Sequence, residues 1–168
     1  LSMRPKLAFS LPPGLPLELG IHSIEREFER LISKTWRTIH IFSFSHNTTM
    51  GFELNATMIE VLRRVRPNVH IFTNDRDTAR GLQHLFGQVS SSVKACYWTG
   101  EDSLFHIKSL IIDRKHVYLG SANFSISAMT KNAEAGLFFE DESIAESLIE
   151  YAEELQSVDL LTPLEVER

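Results

Sequence analysis

A histidine, a lysine, a serine and an asparagine fall close together in the segment Phe105–Phe124 (FHIKSLIIDRKHVYLGSANF), and they suit the chemistry of a phosphate ester. The ammonium of Lys108 supplies a point charge, and the carboxamide of Asn123 supplies N–H donors for non-bridging oxygens. His106, an imidazole titrating near neutrality, can serve as nucleophile or as proton carrier. Phe105–Ile112 and His116–Ala122 read as two strands close enough to form a hairpin. Strand alternation sets His106 and Lys108 on one face and Asp113 on the other, so Asp113 takes a structural role. With Arg114-Lys115 as a two-residue turn, His106 faces Asn123 and Lys108 faces Ser121. The four polar groups then converge at the open end of the hairpin. Gly120 stands beside them, where backbone can approach a ligand closely. The chemistry needs no metal ligand set, and neither metal nor cofactor is expected.

The flanking elements must hold that hairpin in place. Leu11–Gly20 (LPPGLPLELG) is rich in proline and glycine, and residues 1–20 read as an extended lead-in. Ile24, Phe28, Leu31, Ile32 and Trp36 recur at helical spacing behind Ser23, a candidate N-cap. Strands are expected at Thr38–Ser45, Asn68–Thr73 and Val93–Trp98. Helices are expected at Phe52–Val65 and from a cap at Asp75 or Asp77 through Phe86. Ser125–Lys131 reads as a short helix and Glu134–Phe139 as a last strand. Glu142–Gln156 closes the domain as a helix with Ile144, Leu148, Tyr151, Ala152 and Leu155 inward. This alternation predicts a layered α/β/α sandwich with a mixed sheet over residues 21–158 and a tail over 159–168.

Composition bounds the function. The chain of 168 residues is 43% hydrophobic and 23% charged, which fits one domain with a true core. The formal charge of −5 is unevenly spread: the first 133 residues hold 16 Lys+Arg against 11 Asp+Glu, the remainder 1 against 11. An acidic chain can thus still present a basic working face to a polyanion. Cys96 is the single cysteine, in an apolar run, and favours a reducing, cytoplasmic setting. No stretch approaches a membrane span, and Met3–Ser10 makes a poor secretory signal.

The pattern His106-x-Lys108-x4-Asp113-x6-Gly120-Ser121-x-Asn123 resembles the HKD signature of the phospholipase D superfamily, complete and at the family spacing. Asn132-Ala133-Glu134 is similar to the family's downstream acidic segment. The resemblance implies a phospholipase D-like fold and a phosphodiesterase in which His106 forms a phosphohistidine. Lys108 and Asn123 would clamp the phosphate, Ser121 would line its pocket, and Glu134 would hold the imidazole tautomer. The family chemistry uses two histidines, and this chain has one HxK. A homodimer with the active site at its two-fold interface would supply the second. Nucleic acid, DNA ahead of RNA, is the expected substrate, with membership of a larger protein or defence complex in keeping. Lipid chemistry and a partner-dependent binding module are the rival readings.

Several other residues are candidates for substrate contact. Ser45 and His46 follow the first long strand, where sites in open α/β sheets form. Arg114 and Lys115 on the hairpin turn, and Arg63, Arg64 and Arg66, offer charge to a phosphate backbone. His40 and His70 lie in strands with apolar neighbours and read as core histidines. Trp98 and Phe105 read as core.

Overall fold

The computed structural model describes residues 4–10, 12–14, 21–45 and 53–165. One mixed sheet organises them: β1 (Lys6–Phe9), β2 (His22–Ser23), β3 (Thr38–Ser43), β4 (Asn68–Thr73), β5 (Ser92–Trp98), β6 (Ser109–Ile112), β7 (His116–Gly120), β8 (Ala135–Glu140) and β9 (Leu161–Pro163). Their spatial order is β2-β1-β8-β7-β6-β3-β4-β5-β9. Helices α1 (Ile24–Ile32), α2 (Ala56–Val65), α3 (Arg76–Gly87), α4 (Ile126–Thr130) and α5 (Glu142–Ser157) cover it.

The two faces follow from strand alternation. Ile39, Ile41, Val69, Ile71, Leu110, Ile112, Tyr118 and Phe138 join one buried cluster with residues of α1 to α4. Phe42, Phe72, Cys96, Ile111 and Val117, one residue out of step, pack against α5 in the other. β3, β4 and β5 run parallel and step outward in one direction, so right-handed crossovers place α2 and α3 on the same side. The chain then returns past β3 to lay β6 antiparallel on its other edge. That reversal opens a crevice at the carboxyl end of β3, the place such sheets offer a ligand.

Local chemistry fixes the boundaries. Ser23, Asn55, Asp75, Ser125 and Asp141 are the N-caps, each side chain accepting from the backbone N–H three residues on. No helix among the described residues is long and apolar enough to cross a membrane.

Four expectations need correction. Lys6–Phe9 is no lead-in but a strand paired antiparallel with β8, with Ala8 fully buried. Leu161–Pro163, expected as tail, pairs with β5. Trp36 does not extend the stripe of α1: the helix ends at Ile32 with Ser33 as C-cap, and Trp36 is 71% exposed. On α5 the inward residues are Ala145, Ile149, Ala152 and Leu155, while Ile144 and Tyr151 face solvent. The two alanines let the helix lie close to the sheet, which the bulkier stripe would hold off.

Candidate active site

The β6–β7 hairpin is fixed at its turn. Asp113 and Arg114 both have positive φ, 53° and 56°, and Lys115 N–H bonds the Ile112 carbonyl at 3.1 Å. These are the two central residues of a hairpin turn of the primed kind, which needs φ > 0 at both. The loop therefore holds three residues, Asp113-Arg114-Lys115, and not the two of Arg114-Lys115, and the register moves by one: Ser109 pairs with Leu119 and Ile112 with His116. Lys108 consequently lies opposite Gly120, whose N–H reaches the Lys108 carbonyl at 3.3 Å, and not opposite Ser121. β6 begins only at Ser109, so His106 and Lys108 stand on an irregular approach to the strand.

Asp113 anchors the turn to the start of β3. Its carboxylate accepts from the backbone N–H groups of Trp36 (2.8 Å), Arg37 (2.7 Å) and Thr38 (2.9 Å). An aspartate tolerates the left-handed backbone at this position and satisfies three donors at once.

At the other end of the hairpin, Lys108 Nζ lies 2.7 Å from His106 Nδ1 and 2.8 Å from the His106 carbonyl. Lys108 is buried, 8% exposed, whereas His106 is open to solvent. Burial pulls the Lys108 ammonium below its ordinary value, and the field of Glu134 pushes it back up. Phe44 walls the pair: its ring meets the imidazole edge-on with centroids 4.7 Å apart, and Lys108 Nζ sits 5.5 Å from its centroid. Sequence reasoning missed Phe44, because an aromatic ending a strand reads as core.

Asn123 is positioned from β3. Its Oδ1 accepts from Phe44 N–H at 3.0 Å, which turns Nδ2 toward Ser45 Oγ at 3.4 Å. Ser45 thus touches the site through Asn123, and Ser43 Oγ supports the same loop by accepting from Phe124 N–H at 3.1 Å. His46 lies outside the described residues.

Ser121 and Glu134 form a second polar group beside the first. Ser121 Oγ donates to Glu134 Oε2 at 2.5 Å, and Asn132 Nδ2 donates to Glu134 Oε1 at 3.3 Å. Ser10, at the end of β1, accepts from Glu134 N–H at 2.8 Å, donates to the Asn132 carbonyl, and so fixes this loop. It was invisible in the sequence. Within one chain the Glu134 carboxylate is engaged with Ser121 and Asn132, and His106 Nδ1 with Lys108. An open groove of about 570 Å³ runs from Ser121 and Glu134 along Phe9, Pro12 and Ile21.

Gly120 has a different purpose from the one expected. A Cβ there would stand 2.5 Å from the Ala135 carbonyl oxygen and 2.6 Å from the Tyr118 hydroxyl. The glycine is required by the packing of β7 on β8, not by a ligand. Tyr118 itself accepts from Ala122 N–H at 3.0 Å and holds the 120–122 segment. Arg114 and Lys115 sit at the far end of the hairpin, where Arg114 forms a bidentate pair with Glu146. They do not reach the site of their own chain.

Comparison with known proteins agrees with this geometry. The family described as "Cardiolipin synthase, PLD-like domain" matches residues 28–156. The phospholipases D of Rickettsia prowazekii (strain Madrid E) and Rickettsia typhi (strain ATCC VR-144 / Wilmington) are 47% and 44% identical over 45 residues, a stretch spanning 27% of this chain and 22% of each relative. The fold is similar to that of Nuc, a phospholipase D family member from Salmonella typhimurium (TM-score 0.59, 17% identity, 96% of this chain and 99% of that one). It is also similar to NucT from Helicobacter pylori (0.60, 21%, 95% and 99%) and to the phosphatidylserine synthase of Haemophilus influenzae Rd KW20 (0.64, 17%, 95% and 39%). With His106, Lys108 and Asn123 gathered at the carboxyl end of β3 and a family match over most of its length, the chain belongs to the phospholipase D superfamily of phosphodiesterases.

Proposed function

We propose that the protein is a metal-independent nuclease that hydrolyses nucleic-acid phosphodiester bonds through a phosphohistidine on His106. The observation that carries this reading is the exposed His106 imidazole set against the buried Lys108 ammonium, with Asn123 held by Phe44 N–H. In the substrate-free arrangement an ammonium donates to Nδ1, which leaves the ring proton on Nε2. A phosphate entering beside Asn123 draws the Lys108 ammonium onto its non-bridging oxygens and frees Nδ1. The ring can then carry its proton on Nδ1 and attack phosphorus through the Nε2 lone pair. The P–O bond to the leaving group breaks, a second histidine protonates that oxygen, and water releases His106 in the second step. Lys108 offsets the charge that a metal would otherwise meet, and the Asn123 amide donates hydrogen bonds to it.

The second histidine comes from a second copy of the chain in this reading. Leu7, Leu137 and Leu119 stand in register across β1, β8 and β7 on the part of the sheet that α5 leaves uncovered, 51%, 43% and 41% exposed. This apolar row ends one residue before Gly120-Ser121, so a two-fold contact there would bring two hairpins together. DNA is the preferred substrate and the cytoplasm the setting, with restriction or phage defence as the context such a nuclease fits. Phospholipid is the second reading, favoured by the apolar groove beside Ser121.

Cleavage of single- and double-stranded DNA, RNA and phosphatidylcholine in excess EDTA, beside His106→Ala, tests the reading. Nucleic-acid cleavage that survives EDTA and disappears in the variant is expected. Cleavage of the phospholipid only, or equal cleavage by the variant, refutes it.

A further inference from the structure

The end of the sheet opposite the active site has its own surface, built from the loops that enter β3 and β4 and from the hairpin turn. The loop 33–37 (SKTWR) precedes β3, and Arg66-Pro67 precedes β4. Arg37 carbonyl accepts from Asn68 N–H at 2.9 Å, which joins the two loops, and the Asp113 carboxylate joins the first of them to the turn. Lys34, Trp36, Arg37, Arg64 and Arg66 are all exposed here. Burial lowers the basicity of His116, Glu140 opposes it at 3.1 Å, and the charges of Lys34 and Lys115 lower it further while Asp113 raises it.

The charge is only partly offset. Asp113 bonds three neutral backbone N–H groups and keeps its negative charge at the edge of this surface. Glu146 is taken by Arg114, and Glu140 lies 3.9 Å from Lys115 Nζ. Arg66 spends one guanidinium N–H on the Ser90 carbonyl at 2.8 Å, a neutral partner that leaves its charge available. Among the described residues Lys34, Arg37 and Arg64 have no carboxylate in ion-pair range.

Trp36 supplies the second feature. It is the most exposed large hydrophobic side chain among the described residues, 71% open, yet its backbone N–H is fixed by Asp113 at 2.8 Å. An indole displayed on a rigid backbone amid cations is a stacking platform, and stacking on it requires the open face of an unpaired base. A duplex would offer only phosphates. We propose that Lys34, Trp36, Arg37 and Arg66 form a second binding surface, for single-stranded nucleic acid, at the end of the domain remote from His106. The inference rests on the nucleic-acid reading of the active site and adds a site to it. β3, six residues long, separates the two ends by about 20 Å. A strand of several nucleotides is needed to occupy both.

Fluorescence anisotropy with a labelled 20-nucleotide oligo-dT, in a His106→Ala background that prevents cleavage, tests the surface. Adding Trp36→Ala is expected to weaken binding about tenfold, with Trp36→Phe recovering part of it. Adding Lys34→Ser and Arg37→Ser is expected to lower the slope of log affinity against log salt by about 1.4, the value for two phosphate contacts to a single strand. Unchanged 20-mer affinity in both variants overturns the proposal while leaving the nuclease reading intact if the wild type still cleaves DNA. Failure of the wild type to bind or cleave any oligonucleotide overturns both. Trp36-dependent binding to anionic phosphatidylserine vesicles in place of the oligonucleotide replaces this surface with a membrane contact and likewise overturns it.

Discussion

His40 ties the stability of the domain to pH in a way that can be worked through. It lies in β3, 3% exposed, with its ring stacked on His70 of β4 at 4.7 Å and 11°. Its Nδ1 has no hydrogen-bond partner among the described residues. Burial, then the charges of His70 and Arg114, push its pKa down to about 3 against the opposing pull of Glu146. The unfolded chain binds that proton at about 6.5, so between these values the unfolded state holds more protons and stability falls as pH falls. Above about 6.5 the contribution is flat. At pH 5 the loss depends on the unfolded value alone, because the folded ring is still neutral, and comes to about 2 kcal/mol relative to pH 7. His40→Phe keeps a flat ring on His70, gives up no bond from Nδ1, and cannot be protonated. Urea unfolding of both proteins at pH 7 and pH 5 isolates the histidine, since carboxylates common to both cancel in the difference. The wild type should lose about 2 kcal/mol more than the variant. Equal losses refute the argument that a buried neutral imidazole governs this range.

Two other substitutions probe the frame around the site. Gly120→Ala forces a methyl against the Ala135 carbonyl and the Tyr118 hydroxyl, and should lower unfolding free energy by about 1–3 kcal/mol in urea titration. An unaltered midpoint would show that β7 and β8 separate freely. Asp113→Ala strips the acceptor from three backbone N–H groups, for an expected loss of about 2 kcal/mol, with Asp113→Asn intermediate because its amide retains one oxygen and tolerates the left-handed backbone.

Much of the fold was legible because its signals are local. Ser23 and Asp75 cap helices where their side chains predict, and Asn68–Thr73 is a strand at both expected ends. The grouping of His106 with Lys108 followed from spacing, and the contact is present although the strand that suggested it starts later. What escaped depended on distant partners or on uncommon backbone. The turn took in one residue more than expected because Asp113 and Arg114, neither glycine nor asparagine, adopt left-handed conformations that the contacts of Asp113 with the start of β3 hold. On α5 the stripes through Ile144 and through Ala145 were both apolar, and only the flatness of the sheet beneath selects the second. Lys6–Phe9 is too short for alternation to reveal, and Ser10 acquires its place from a loop that lies more than a hundred residues away.

That last contact has a consequence for the order in which the protein comes into being. β1 leaves the ribosome ahead of the other strands described here, yet apart from a two-residue pairing with β2 its partner is β8, Ala135–Glu140. Closing so long a loop is slow compared with forming β3, β4 and β5, whose neighbours follow one another along the chain. The Glu134 loop takes its shape only when the opening strand finds this late one. A nascent chain thus carries His106 and Lys108 outside the tunnel well before the carboxylate loop beside them is set, and the two polar groups come together only when the sheet is closed.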